Sequence, residues 1–480
     1  MNSKYEAVIG LEVHAQLSTE SKIFCGCSTK FGSAPNSNVC PICLGHPGVL
    51  PVLNKKVVEY AVLMGLATNC KIRERSTFAR KNYFYPDSPK GWQTSQFDEP
   101  ICENGFLEVT TSDGEKHHLR INRIHMEEDA GKSIHDKGSE TLVDLNRTGV
   151  PLIEIVSEPD MRSAEEAYLY LTQLKQILTY LDICDGNMEE GSLRCDANVS
   201  IRLKGETELG TKAEVKNMNS FKNVEKAINV EIARQIDIVE DGGRIIQQTL
   251  LWDADLEDVF PMRSKEESHD YRYFPEPDLM PVLINDGWRN EIAKSLPELP
   301  EKRKNRFVTE FKLPEYDAEV LTSSRQLADY YEKVIFVTSD YKSASNWIMG
   351  EVLKVLKEDK IDITDFPLSA ENLGKLIELI NNNTISGQIA KDIFPEMLKT
   401  NEDPAKIVKE KNLVQITDIS ELEGIINTII LNNQAQVQQY LSGKESVIGF
   451  FVGQVMKASQ GKANPKAVNE LLKKQLDEQK

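Results

Sequence analysis

The sequence predicts an α+β fold, in which an antiparallel sheet domain with flanking helices precedes an all-helical part. Alternating hydrophobicity recurs between Tyr5 and Lys216, helical spacing dominates beyond Pro300, and the proline-rich run Leu296-Pro297-Glu298-Leu299-Pro300 separates the two. A chain of 480 residues exceeds what one ordinary core serves, so about two or three domains are expected. Hydrophobic residues make up 40% and charged residues 28%, the balance of a soluble globular protein. No apolar run approaches the roughly 18 residues of a membrane span, and Glu6 and Glu12 interrupt any signal-like start, so a cytoplasmic protein without a membrane partner is expected. A net charge of -18 excludes a generally basic nucleic-acid surface; an RNA partner must be met by a local patch.

The first strand runs from Tyr5 to Leu17. Tyr5, Ala7, Ile9, Leu11, Val13, Ala15 and Leu17 fall on one face, and Glu6, Glu12, His14 and Gln16 on the other. Glu12 and His14 are neighbours on that polar face, a spacing that suits metal ligation and equally a solvated surface. Next come Cys25-x-Cys27 and Cys40-Pro-Ile-Cys43. Two close pairs of thiols close a tetrahedral zinc site with no open position, so that the metal orders a loop and performs no chemistry; a disulfide pair is the weaker alternative in a cytosolic chain. Structural zinc contributes on the order of 10 kcal/mol to ordering such a loop. Cys70, Cys102, Cys184 and Cys195 show no metal spacing.

Arg80-Lys81-Asn82-Tyr83-Phe84-Tyr85-Pro86-Asp87 interleaves cations with aromatics, a pattern that serves either to stack the unpaired end of an RNA or to fill a core. His125-Met126-Glu127-Glu128-Asp129-Ala130-Gly131-Lys132-Ser133 sets three consecutive carboxylates beside a histidine. Adjacent carboxylates repel, so the cluster is either a solvated acidic turn or the surround of a cation. Its Gly-Lys-Ser end imitates a P-loop, but that motif requires glycine where Met126 stands; Lys132 and Ser133 remain candidate phosphate contacts.

Asp144 to Pro151 ends a strand and turns. Ser163 and Glu166 form a capping box for a core helix carrying Ala167, Leu171, Leu174, Leu178 and Leu181. From Leu193 the alternation returns, with Cys195 and Ala197 opposing Arg194, Asp196 and Asn198. After a polar loop, Ala213 and Val215 oppose Lys212, Glu214 and Lys216, and the two segments read as an antiparallel hairpin. Its polar face mixes carboxylates suited to a metal with cations suited to phosphate, and Arg194, Lys212 and Lys216 are assigned to phosphate on strand phase. A solvent face has a similar composition.

Asp270 to Asp278 closes this region. Beyond it, Ser369 to Asn381, Ile385 to Lys399, Ile419 to Tyr440, Val447 to Ala458 and Pro465 to Gln479 show helical spacing. From Tyr440 to Lys480, seven lysines against four acids leave +3, which fits an RNA-facing bundle or a single solvated basic helix.

Ile9-Gly10-Leu11-Glu12-Val13-His14, Arg80 to Asp87, His125 to Ser133, Gly191-Ser192-Leu193-Arg194-Cys195-Asp196-Ala197-Asn198 and Asp270 to Asp278 stand in one order along the chain. With these motifs the sequence resembles the B subunits of the tRNA-dependent amidotransferases that make Gln-tRNA(Gln) and Asn-tRNA(Asn), over essentially its whole length to Gly453-Gln454-Val455-Met456-Lys457-Ala458-Ser459. The resemblance implies a cradle-like antiparallel sheet domain at 1–295 with an ATP and metal (kinase) site and the zinc loop, a helical domain at 296–405, and a small helical tail at 406–480 that binds tRNA; Lys457, Lys462 and Lys466 are assigned to that contact on the basic charge of the tail. It implies an ATP-dependent carbon–nitrogen ligase with glutamine as nitrogen donor, which phosphorylates the side-chain carboxylate of mischarged Glu-tRNA(Gln) or Asp-tRNA(Asn) and amidates it with channelled ammonia. The family's Mg²⁺ ligands carry over onto Glu12, His14, Glu127, Glu128, Asp196 and Glu214, with Glu127, Glu128 and Asp196 in catalysis; imidazole is an unusual Mg²⁺ partner, so His14 acts through water or marks a Mn²⁺-tolerant position. The expected cofactors are ATP, Mg²⁺ and structural Zn²⁺ on Cys25, Cys27, Cys40 and Cys43. The expected partners are an amidase A subunit that supplies ammonia, a small C subunit and the mischarged tRNA. A non-catalytic tRNA-binding scaffold is the alternative.

Overall fold

The structure is a computed structural model that describes residues 4–134, 140–262, 271–414, 419–459 and 462–479, in two compact units, Met1–Pro300 and Glu301–Lys480. The first unit is α+β and the described part of the second is helical. The large sheet of the first unit has nine strands: β1 (Tyr5–Gln16), β2 (Lys71–Ile72), β3 (Cys102–Thr110), β4 (Lys116–Glu128), β5 (Pro151–Ser157), β6 (Leu193–Leu203), β7 (Ala213–Lys216), β8 (Thr249–Asp253) and β9 (Asp258–Pro261). Across the sheet they run β9-β8-β7-β6-β1-β5-β4-β3-β2.

The alternation that predicted β1 is what makes it central. Ile9, Leu11, Val13 and Ala15 are fully buried on one face, against helices α1 (Lys55–Ala67), α2 (Ala164–Tyr180) and α3 (Phe221–Glu240), while Glu12, His14 and Gln16 stay partly accessible on the other. Both neighbours of β1 are antiparallel, and so is the expected hairpin of β6 and β7. The sheet departs from a purely antiparallel order at one place, the parallel pair β7 and β8. Its cause is the connection: α3 carries the chain over the sheet between these strands, and a helical crossover delivers the next strand in the same direction.

At the start of α2, Ser163 Oγ accepts the N–H of Glu166 (3.1 Å), and the Glu166 carboxylate reaches back to the N–H of Arg162 (3.0 Å), a capping box displaced by one residue. Gly131 serves packing. Its N–H donates to Asp87 O (2.8 Å), and a Cβ there would lie 2.8 Å from Leu145 Cδ2 and 3.0 Å from Asp87 O, so only glycine fits the turn. Lys132–Ile134 then pairs with Leu142–Asp144 as a small separate hairpin.

In the second unit, the spacing read as one helix from Ile419 to Tyr440 is two, Ile419–Asn432 and Gln434–Leu441. The break falls at Asn433, where the backbone leaves helical geometry and the side-chain amide donates to Ile429 O (2.8 Å), the competition with the helix that asparagine brings. Two apolar clusters fill this unit, one around Phe307, Tyr331, Leu376 and Ile393 and the other around Ile426, Tyr440, Phe451 and Leu472. Among the described residues no helix is long and apolar enough to cross a membrane.

Truncating Ile9, fully buried at the middle of the sheet, to alanine is expected to destabilise the first unit by about 2–5 kcal/mol. Phe336→Ala, at a side chain 92% exposed, should change stability by less than about 0.5 kcal/mol. Urea unfolding of the full chain measures both; equal effects would mean that β1 is not the core strand.

Candidate metal centre

The registers of β1 line polar side chains into rows across the sheet. His14 stands opposite Glu154 of β5 and Arg194 of β6, and Glu154 in turn stands opposite His125 of β4; Glu12 stands opposite Asp196, and Asn198 of β6 opposite Glu214 of β7. Side chains at every second position share a face, so these residues, Asn198 apart, look into one cleft of about 690 Å³ together with Lys81, Glu127, Asp129, Arg147 and Lys216.

Two ligand sets form in that cleft. Carboxylate oxygens of Glu12, Asp196 and Glu214 lie within 4.8 Å of one another, and so do one atom each of His125, Glu127 and Glu154. In the first set Lys216 Nζ bridges Asp196 and Glu214 (2.9 Å to Glu214 Oε1), Asn198 donates to Glu12 (3.0 Å) and Thr249 donates to Glu214 (3.0 Å). Although burial opposes it, the two carboxylates raise the pKa of the Lys216 ammonium. In the second set Glu154 Oε2 lies 3.3 Å from His14 Nε2 and 3.3 Å from His125 Nε2, and Glu127 Oε2 lies 3.8 Å from His125 Nε2 and 4.0 Å from Lys81 Nζ. Burial favours neutral imidazole, but Glu154 and Glu127 outweigh it and raise the His125 pKa to about 9. Against its own burial, Glu127 is held down to about 2 by Lys81 and His125, and Glu154 well below the carboxylate range by the two histidines.

The donors fit a divalent cation. Glu127 Oε2 and His125 Nδ1 are buried without a hydrogen-bond partner, and three carboxylates converge in the first set, so a cation there would find ligands already desolvated and gathered. The first set is all oxygen, as Mg²⁺ prefers; the second mixes imidazole with carboxylate, which suits Mn²⁺ as well. Around them Arg194 donates to Asp129 (2.8 Å) while its buried Nε has no partner, leaving a donor for an anion.

Of the metal ligands carried over from the resemblance, Glu12, His14, Glu127, Asp196 and Glu214 line this cleft and Glu128 does not. Alternation along β4 is the reason: Glu127 points to the polar face and Glu128 to the reverse face, where Thr94 N–H (2.7 Å) and Lys90 engage it. Of the cations assigned to phosphate, Arg194 and Lys216 line the cleft; Lys212 precedes β7, is exposed and lies outside it. Lys132 and Ser133 are likewise outside. Glu154, His125, Lys81 and Arg147 were not assigned from sequence. Glu154 had a signal, a lone carboxylate inside the apolar strand Pro151–Ser157.

In Arg80 to Asp87, Arg80 makes a two-bond ion pair with Glu276 (2.8 Å each) and lies over Trp92 (3.9 Å), and Lys81 faces Glu127, so both cations are turned inward, and of the aromatics Phe84 and Tyr85 are exposed. Asp270 lies outside the described residues; Tyr271 and Tyr273 line the cleft, and Tyr273 stacks on Phe97 (4.1 Å). Elsewhere, one sulfur each from Cys25, Cys27, Cys40 and Cys43 falls within 4.8 Å of the others, the arrangement a tetrahedral metal needs. In the second unit, Lys457 ends the helix Ile448–Ala458, Lys466 begins Pro465–Asp477 and Lys462 lies between them.

Residues 7–290 match the family described as the GatB/GatE catalytic domain, and residues 329–476 match the GatB domain. The B subunit of the aspartyl/glutamyl-tRNA(Asn/Gln) amidotransferase of Chlorobium phaeobacteroides is 59% identical over 473 residues, covering 98% of this chain and 99% of that protein. The B subunit of the same name from Thermodesulfovibrio yellowstonii is 57% identical over 475 residues, 99% of this chain and 100% of that protein.

A metal bound at His125, Glu127 and Glu154 must displace the proton that the carboxylates hold on His125 up to a pH of about 9. Affinity for Mn²⁺ is therefore expected to rise between pH 7 and pH 9, by up to about tenfold per unit for one displaced proton, and to level off above. Electron paramagnetic resonance titration measures it, and His125→Gln should flatten the dependence. A pH-independent affinity in the unaltered chain would remove His125 from the ligands.

Proposed function

From the premise that the chain belongs to the family of aspartyl/glutamyl-tRNA(Asn/Gln) amidotransferase B subunits, we propose that it phosphorylates the side-chain carboxylate of Glu-tRNA(Gln) or Asp-tRNA(Asn) with ATP and amidates the product. The observation that carries this reading is the convergence of two metal-ligand sets and unpaired donors in one cleft, the equipment of phosphoryl transfer. A carboxylate is a poor acceptor of ammonia because its leaving group is oxide. Attack of its oxygen on the γ-phosphorus forms an acyl phosphate and releases ADP; ammonia then attacks the acyl carbon, phosphate leaves, and the surplus proton passes to solvent or a nearby base.

Glu12, Asp196 and Glu214 would hold Mg²⁺, with His125, Glu127, Glu154 and His14 as a second ligand set; there the cation supplies neutralisation of charge on the transferring phosphoryl group. Glu127 and Asp196 are the acids on which the reaction depends most. Arg194 and Lys216 meet phosphate oxygens, Arg194 through its unpartnered Nε and Lys216 once a cation replaces it between Asp196 and Glu214. Cys25, Cys27, Cys40 and Cys43 hold structural zinc.

Ammonia comes from a partner. Burial pushes the thiols of Cys70 and Cys184 up to about 11 and about 12, and those of Cys102 and Cys195 well above the ordinary range, so none of these four serves as a glutaminase nucleophile. We assign its supply to an amidase A subunit working with a small C subunit in the cytoplasm, with glutamine as donor. The segments 296–405 and 406–480 are proposed as separate domains, and the basic tail as the tRNA-binding one; of the two apolar clusters the first reaches Ile407 and Val408 in the helix Pro404–Glu410 and the second begins at Leu422, so the break between them falls beyond that helix.

Glu127→Gln and Asp196→Asn are each expected to lower amide formation by on the order of 10²- to 10³-fold with ammonium as nitrogen donor, while glutamine hydrolysis by the assembled enzyme continues. Unchanged amidation would refute the site; a chain that binds tRNA but takes up no nucleotide in a Mg²⁺ titration would instead be a scaffold.

Neutralising Lys457, Lys462 and Lys466 together is expected to weaken tRNA binding and to reduce the salt slope of log K by about one per lysine. Fluorescence anisotropy between low and high salt checks this, and an unchanged slope places the RNA elsewhere.

A further inference from the structure

Lys22 is a lysine with no exposed surface. Its ammonium lies 2.7 Å from Asn38 O and 3.7 Å from Cys43 Sγ. A buried ammonium without a counter-charge is strongly disfavoured, and among the described residues no carboxylate lies within ion-pair distance of this one. It borders a pocket of about 230 Å³ in which three acids are present, and each is already engaged: Glu128 by Lys90, and Glu276 and Asp278 by Arg80. The remaining anion is sulfur. Four thiolates around a divalent metal carry two net negative charges, and Cys43 is the buried member of the set.

Resting on the reading of the four cysteines as a zinc site, we infer that Lys22 is the charge partner of that site, donating an N–H···S hydrogen bond to Cys43 and halving the net charge that the fold must bury. The neighbouring backbone supports the same sulfur: the N–H of Cys40 donates to Cys43 Sγ (3.2 Å), and Lys22's own N–H donates to Cys27 O (3.0 Å), which ties the lysine into the turn carrying the first cysteine pair. Outer partners of this kind set how tightly metal is held, because they stabilise the thiolate against protonation and departure. Lys22 is therefore a positioning and charge-balancing residue and takes no part in chemistry.

The test starts from the purified full chain loaded with zinc. Absence of about one zinc per chain would overturn the metal reading itself. With zinc present, Lys22→Gln and Lys22→Met are expected to release it to a chromogenic chelator roughly 10- to 100-fold faster than the unaltered chain, and Lys22→Arg much less so. In the cobalt-substituted protein the sulfur-to-metal charge-transfer band should move to lower energy in Lys22→Gln, since the thiolate loses its hydrogen bond; a role in folding alone would not shift it. Release and spectrum equal to the unaltered protein would overturn the inference while leaving the zinc site intact. If the neutral variants fail to fold, the unaltered chain decides: Lys22 should resist an amine-acylating reagent while zinc is bound and react once it is chelated, and labelling indifferent to zinc would refute the partnership.

Discussion

A carboxylate held between two imidazoles sets the character of the polar face. Glu154 lies 3.3 Å from both His14 and His125, three groups on three adjacent strands, and Glu154 and His125 are buried while His14 is partly accessible. Their mutual neutralisation is what allows a sheet to carry ionisable groups at its middle without losing its fold. It also fixes register. Sliding β5 by one residue against β1 would turn Glu154 into the apolar layer beneath and Ile153 or Ile155 into the cleft, so the electrostatic row and the hydrophobic layer enforce the same pairing.

The same period of two divides the labour of the acidic run. Glu127 and Glu128 are adjacent in sequence and serve opposite faces of β4: one enters the cleft beside His125 and Lys81, the other enters the pocket behind, which it shares with Lys22 and Cys43. A single strand end thus borders both the candidate catalytic cleft and the cysteine loop. A metal on the four cysteines would therefore lie on the reverse side of the strand that presents Glu127.

Much of this was legible in the residues and some was not. The alternation of Tyr5 to Leu17 and of Leu193 to Leu203 located β1 and β6 and the faces of Glu12, His14, Arg194 and Asp196, because a half-buried strand writes its two faces into its composition. The cysteine pairs were legible because ligand spacing is local. Glu154 was missed because its strand is apolar on both sides of it and resembles an ordinary core strand until the neighbouring histidines are in place. Glu128 was expected in the cleft and lines the pocket behind it, because three acids in a row carry no alternation of their own and their directions depend on where the strand ends. The parallel pair of β7 and β8 depends on the path of α3 over the sheet, which no local pattern encodes.

The charge of the cleft bears on how an acidic surface would receive the polyphosphate of the proposed reaction. Among the described residues lining it, six carboxylates, Glu12, Glu127, Asp129, Glu154, Asp196 and Glu214, face five permanent cations, Lys81, Arg123, Arg147, Arg194 and Lys216. With neutral imidazoles the lining is thus close to balanced at -1, and against their burial the neighbouring carboxylates, Glu154 first and Glu127 after it, raise the proton affinity of His14 and His125. Two imidazole protons bring the lining to +1; a divalent cation in their place would leave it at +1, and a second would raise it to +3. On the proposed reading the acids would gather cations at fixed positions on the sheet, and those cations would meet the phosphates.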